Sequence, residues 1–180
     1  RLLVNECSGI TPKPLTDKGR TVVSSYTHAV EIADDPIVIG ERINPTGKSR
    51  FKQALRDHDM DYILQEGFSQ QDKGAQILDI NVGLPEIDEP SMMLNVVREL
   101  QAVSDLPLQI DTVDPVAMEK AMRACNGKPL VNSVNGKPES MEAVFPLVKK
   151  YGGVVIALTR DEAGTPATAE GRIAIAEKIL

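Results

Sequence analysis

Five short apolar runs in this chain end in a carboxylate or an amide: PIVIGERIN, QILDIN, LPLQIDT, KPLVNSVN and GGVVIALTRD. The polar groups so placed include Glu41, Asn44, Asp79, Asn81, Asp111, Asn132 and Asn135. A buried carboxylate beside amides accepts two parallel N–H donors from a planar aminopyrimidine or guanidine-like ring, and the amides satisfy the ring's remaining donors and acceptors. Each charge-assisted contact is worth roughly 1.5–3 kcal/mol, provided the carboxylate is not left unpaired. Asp111, closing LPLQID, is the foremost candidate, because Asp114 is better placed to cap the helix that follows. For Asn132 a turn-forming role and a ligand contact are equal readings. Asp79, between Leu78 and Ile80, either bonds backbone amides of nearby loops or faces a ligand. His28 and His58 fall in a linker and at a helix boundary, and no Cys lies beside a His. The pattern names no catalytic side chain and no metal site, and points to recognition by hydrogen bonds.

The elements that must position these groups follow from periodicity. An apolar run of four or five residues between helical segments reads as a strand buried on both faces, so a polar residue at its end emerges at a rim. Strands are expected at Ile37–Ile39, Ile77–Ile80, Leu108–Ile110, Leu130–Val131 and Val154–Leu158. Helices alternate with them. One spans Phe51–Asp57, and a second is capped by Asp59 or Asp61 and ends near Gly74. Apolar stripes follow at Met93, Val96, Val97, Leu100 and Val103, then at Met118, Ala121, Met122 and Cys125 after the Asp114-Pro115 start. Met141, Val144, Phe145 and Val148 stripe a helix that contains Pro146, and Ile173, Ala176, Ile179 and Leu180 stripe a last one capped by Thr168. Parallel strands joined by helices point their carboxyl ends the same way, which is where α/β proteins bind small molecules. GERINPTGK carries neither GxGxxG nor a Walker pattern, so a barrel is preferred to an open doubly wound sheet. A closed barrel takes eight strands and about 250 residues. This chain supplies about five βα units.

Composition fits one soluble α/β domain: 180 residues, 42% hydrophobic and 26% charged. A net charge of −6 and 3% aromatics argue against nucleic acid. No apolar stretch approaches 18 residues and no leader opens the sequence, which argues against membrane insertion and for a cytoplasmic location. Cys7 and Cys125 read as free thiols. Lys48, Arg50 and Lys52 read as a solvated loop and helix start. Residues 1–35 read as an interdomain linker or N-terminal extension with a short strand or hairpin, alternating at Val22, Ser24, Tyr26 and His28, and residues 36–180 as a partial barrel domain. A start at Arg1 suggests a piece of something longer.

VIGERINPTGK, GAQILDINVGLPEIDEP, LPLQIDTVDP and GKPLVNSVNGK, in this order, resemble the pterin-binding family. That family holds dihydropteroate synthases and methyltetrahydrofolate methyltransferases, among them the folate-binding domains of cobalamin-dependent methionine synthases. The resemblance covers about Pro36 to Leu180. It implies the N-terminal part of a (β/α)8 TIM barrel that binds 5-methyltetrahydrofolate at its C-terminal mouth. It further implies delivery of the N5 methyl group to cob(I)alamin, and so to homocysteine to make methionine. Asp111 matches the family's pterin-anchoring aspartate, Asn132 the asparagine beside it, Asp79 and Asn81 its DxN, and Asn44 the asparagine of its first loop, with Glu41 on the same rim. Cobalamin is then held mainly by a corrinoid-binding domain or protein, with a homocysteine-binding domain upstream.

The chemistry implied is a methyl transfer from a tertiary amine, helped by a polar network around N5 rather than by one strong acid. The family's further pterin-anchoring aspartate and N5 asparagine fall beyond Leu180, so the chain is expected to be part of a larger enzyme or to self-associate through its open sheet. Alternatives are a methyltransferase serving a corrinoid iron-sulfur protein, a dihydropteroate synthase, and a non-catalytic corrinoid-protein docking module.

Overall fold

The computed structural model describes residues 2–11, 13, 14, 16 and 19–180; Arg1 and Pro12 lie outside them. The chain opens with α1 (Leu2–Cys7), which buries no residue, and a hairpin of β1 (Thr21–Ser24) and β2 (Ala29–Ile32). Then come β3 (Ile39–Ile43), α2 (Ser49–Asp57), α3 (Met60–Gln71), β4 (Ile77–Ile80), α4 (Glu89–Val103) and β5 (Leu108–Asp111). α5 (Pro115–Ala124), β6 (Leu130–Asn135), α6 (Pro138–Tyr151), β7 (Val154–Leu158) and α7 (Ala169–Ile179) complete it. Strands β3 to β7 form one parallel sheet in sequential order. That order never reverses, as it must at the switch point of a doubly wound sheet, so the sheet is an arc of a barrel. Among the described residues no helix is long and apolar enough to cross a membrane.

Local chemistry starts the helices, at Asp59, Asp114 and Thr168 as expected and at Asp88, for which no cap was read in the sequence. Asp59, Asp88, Asp114 and Thr168 each accept a backbone N–H of the first turn, from Tyr62, Ser91, Val116 and Gly171 respectively. Pro115 and Pro138 occupy first-turn positions, where a missing N–H costs nothing. α6 runs on through Pro146.

Residue parity along each strand separates two faces. Leu78, Ile80, Leu108 and Ile110 pack outward against Met93, Val96, Leu100, Ala117 and Ala121, and Val131 and Val134 against Met118, Met122, Val144, Ile175 and Ile179. Residues of opposite parity point inward. Ile77 and Leu130, with Ile39, Val154 and Ile156, gather around Val23 of the hairpin. The hairpin therefore plugs the inner face at the strands' N-terminal ends and leaves the carboxyl ends open.

Two irregularities re-aim residues at those ends. β3 uses three steps from Gly40 to Ile43 where β4 uses two from Leu78 to Ile80, and β6 uses two from Asn132 to Val134 where β7 uses one. Each extra residue is a bulge that flips the alternation. Ile43 and Val134 thereby join the outer layer although their spacing from Ile39 and Asn132 would place them inside. This explains why the strands were expected to be shorter. The expected first strand, Ile37–Ile39, is corrected to Ile39–Ile43, and the fourth, Leu130–Val131, extends to Asn135. Glu41, Asn132 and Asn135 thus lie within strands and not in loops.

Other expectations are corrected by phase. In the hairpin the core residue is Val23, paired with Val30, not the Val22, Ser24, Tyr26, His28 set; Tyr26 is exposed in the turn. A two-stranded ribbon this short carries no sequence signal for which parity faces in. In α7 the buried residues are Ile175 and Ile179, one turn apart, while Ile173 and Leu180 are exposed. Ile173 precedes Ile175 by two positions, about 200° around the helix. Val103 is likewise exposed at the end of α4.

The plug is held at Gly127. Ser24 N donates to Lys128 O at 2.9 Å, and Lys128 N donates to Ser24 Oγ at 3.1 Å. Gly127 has φ +133°, and a Cβ there would stand 2.3 Å from Ser24 O. Gly127→Ala is therefore expected to cost about 1–3 kcal/mol in backbone strain and to loosen the hairpin. Urea unfolding of the full chain reads the first effect, and faster hydrogen exchange at the Val23 amide reads the second.

Candidate functional site

Above the plug, the inner face becomes polar. Asp79 on β4 is 1% exposed and pairs in register with Gln109 on β5, which is 2% exposed. Gln109 Nε2 donates a short hydrogen bond to Asp79 Oδ1, while Gln109 Oε1 is buried with no partner among the described residues. Two residues further on, just past the end of β4 and at the end of β5, Asn81 Nδ2 donates to Asp111 Oδ2 at 3.0 Å. Asn81 Oδ1 accepts from Gly83 N at 3.0 Å, which fixes the amide with its NH2 toward Asp111. Asp111 stands directly opposite Asn132 in the β5–β6 register, and Thr112 N donates to Asn132 O at 3.2 Å. Among the described residues, Asp111 Oδ1 and the Asn132 side chain make no hydrogen bond.

Three carboxylates, Asp79, Asp111 and Glu41, bear on this face. Burial pushes the Asp79 carboxyl up to about 7; the Gln109 bond opposes this, and the charges of Asp111 and Glu41 reinforce it. Asp111 is raised for the same leading reason, burial, against the stabilising Asn81 bond and with the charge of Glu41 adding to the rise. Neither carboxylate takes part in an ion pair among the described residues. Such a site is poised for a ligand that brings N–H donors.

The remaining sequence candidates sit around this pair in different ways. Glu41 lies in the β3 bulge, exposed, near enough to bear on both aspartates. Asn44 and Asn135 each close an Asx turn, accepting from Thr46 N at 2.8 Å and Lys137 N at 3.0 Å. Each oxygen thus already accepts one local bond, while the NH2 groups make none among the described residues. The basic cluster divides. Lys48 is half-buried, not a solvated residue, and donates to Glu41 O at 3.2 Å and Arg42 O at 2.9 Å; burial first, then the charge of Arg42, lowers its pKa. Arg50 pairs with Asp59 and lies over the Tyr62 ring.

Two features went unread in the sequence. Gln109 is one, although its place two residues before Asp111 in an apolar strand puts it on the same face. The other is Thr112, whose hydroxyl donates to Glu89 on α4 and accepts from Asp114 N at 3.0 Å, tying the loop after Asp111 to the neighbouring helix. That contact is long-range and leaves no local signal. Cys7 and Cys125 are free cysteines.

A family model described as pterin binding enzyme matches residues 40–178. The chain belongs to that family. It is 30% identical over 200 residues to methionine synthase of Mycobacterium tuberculosis (strain ATCC 25618 / H37Rv) and 28% identical over 205 residues to methionine synthase of Mycobacterium leprae (strain TN). Each comparison covers 99% of this chain and 17% of the relative. The chain thus spans about a sixth of the curated relatives it matches. Among solved structures, 7,8-dihydropteroate synthase from Vibrio fischeri ES114 matches with a TM-score of 0.59 at 19% identity, over 88% of this chain and 61% of that one. At that identity the likeness shows the fold, the barrel type of the pterin binding enzymes.

Proposed function

We propose that this face binds the pterin ring of 5-methyltetrahydrofolate and orients its N5 methyl group for transfer to cob(I)alamin, and so to homocysteine to make methionine. The observation that carries the reading is the register pair of Asp111, at the carboxyl end of β5, and Asn132, midway along β6 beside its bulge, with Asn81 holding one carboxylate oxygen and the other open. The ring's adjacent N–H groups are the complement of such a carboxylate. The methionine synthase relatives, matched along nearly the whole chain, favour the methyltransferase over other pterin chemistry.

Cobalamin, when presented, supplies the nucleophile for the methyl group. The carboxylates and amides of this face suit a pterin, while His28 lies in the hairpin and His58 caps α2, so we assign the corrinoid to another domain or protein. In this reading residues 1–35 tether the barrel to an upstream homocysteine-binding domain, residues 36–180 form part of the barrel, and further strands of the chain or a second copy cover the free edges of β3 and β7. A cytoplasmic setting accords with the free cysteines.

Titrating the full chain with 5-methyltetrahydrofolate and, separately, with a dihydropterin pyrophosphate tests the proposal. Saturable binding of the first and weaker binding of the second is expected. The reverse preference points to dihydropteroate synthesis, and binding of neither by folded protein points to a docking module.

A further inference from the structure

We propose that Asp79 and Asp111 carry a single negative charge between them when the mouth is filled, with the proton on Asp79. Asp79 is then a positioning residue that keeps the charge on the carboxylate facing the ring. The inference rests on the pterin reading above and adds a proton to it.

The geometry begins with the register. Asp79 stands opposite Gln109, and Asp111 follows Gln109 by two residues on the same face, so the two aspartates are diagonal neighbours. Glu41 on β3 is a third carboxylate bearing on the same spot. No cation compensates: among the described residues neither aspartate has an ion pair, and Lys48 is spent on the carbonyls of Glu41 and Arg42. Two adjacent charges on a face this dry are costly, and a ring that covers the mouth and expels water makes them costlier.

The two sites differ in what a ligand offers them. Ring N–H donors stabilise ionised Asp111 directly. Asp79 lies one layer deeper, already almost without exposure, and among the described residues its side chain has one hydrogen bond, from Gln109. The ring-facing site therefore keeps the charge and the deeper, drier one the proton. Gln109 has the means to receive it: turning its amide by half a rotation brings Oε1, buried without a partner, to where Nε2 now meets Asp79. Burial already works in this direction, pushing the Asp79 carboxyl up to about 7.

The consequence is a proton taken up on binding above neutrality. Below the Asp79 range the free protein already holds that proton, and affinity does not depend on it. Above that range each binding event must recruit it, and Kd rises by up to about tenfold per pH unit.

The test measures Kd for 5-methyltetrahydrofolate on the full chain from pH 6 to pH 9, for wild type, Asp79→Asn and Asp79→Ala, with calorimetry in two buffers of different ionisation enthalpy. Wild type is expected to weaken at least about fivefold between pH 7 and pH 9 and to take up about one proton at pH 8. Asp79→Asn, a permanently neutral isostere, is expected to lose that slope and that proton. Asp79→Ala loses the slope too but binds more weakly throughout, because Gln109 is left with nothing to bond. A flat wild-type profile, or an Asp79→Asn profile as steep as wild type, overturns the proposal. If Asp79→Asn does not fold, the wild-type proton count decides, and a value near zero overturns it. A wild type that binds no folate at any pH removes the pterin reading itself, a result distinct from folate binding without proton uptake.

Discussion

Replacing Asp111 with asparagine is expected to weaken 5-methyltetrahydrofolate binding by about 100-fold or more. The carboxylate offers one oxygen to Asn81 and leaves the other open, while Asn132 stands beside it in register. Two ring N–H donors reaching such a group make charge-assisted bonds of roughly 1.5–3 kcal/mol each. An asparagine presents an NH2 where one of those oxygens stood, so a donor meets a donor and the charge is gone. A net loss of about 3 kcal/mol is a factor of about 100 in Kd. The fold does not depend on the charge, since burial already works against it. Asp111→Asn should therefore melt no lower than wild type, and this separates a lost contact from a lost structure. Asn132→Ala removes one neutral amide and is expected to cost only about 1 kcal/mol. Equal Kd values for wild type and Asp111→Asn would end the assignment.

How much of this arrangement could be read beforehand depended on whether the signal was local. β4, β7, the Asp114-Pro115 start of α5 and the Thr168 cap of α7 were legible, because a run of apolar residues or a capping side chain announces itself within a few positions. The pairing of Asp111 with Asn132 was legible for a similar reason, as each follows directly on its own apolar run. The bulges in β3 and β6 were not. Nothing in GERIN or VNSVN states that one residue is extra relative to the neighbouring strand, since a bulge exists only between two strands. Without it, Glu41 and Asn132 read as loop residues just past a strand, although both lie in the sheet. The hairpin's inward parity, set by Val23 meeting Ile77 and Leu130, was hidden in the same way. Gln109 could have been found, for its parity with Asp111 is visible in LPLQID, but its bond to Asp79 crosses from one strand to the next.

Asp79→Asn is expected to stabilise the protein above neutrality and to do nothing of the kind in acid. The direction follows from the raised carboxyl, displaced from its ordinary 3.8 to about 7 chiefly by burial. Below about pH 4 the carboxyl is protonated folded and unfolded alike, and its ionisation contributes nothing. Between about 4 and 7 the unfolded chain gives up its proton while the folded chain keeps it, so rising pH favours unfolding. Above 7 the cost is complete, and a shift of this size amounts to about 4 kcal/mol at most. Asparagine has the same shape, offers Gln109 an oxygen to meet Nε2 and an NH2 for the unpartnered Oε1, and never ionises. Urea unfolding of wild type and variant at pH 4.5 and pH 8 should show the variant gaining on wild type by several kcal/mol across that interval. A neighbouring charge sharpens the comparison. Asp111→Asn alone, by removing one source of repulsion, should pull the Asp79 range downward and recover part of the same gain. Parallel stability curves for wild type and Asp79→Asn would mean that Asp79 ionises freely in the folded chain, and both its buried setting and its repulsion by Asp111 would have to be abandoned.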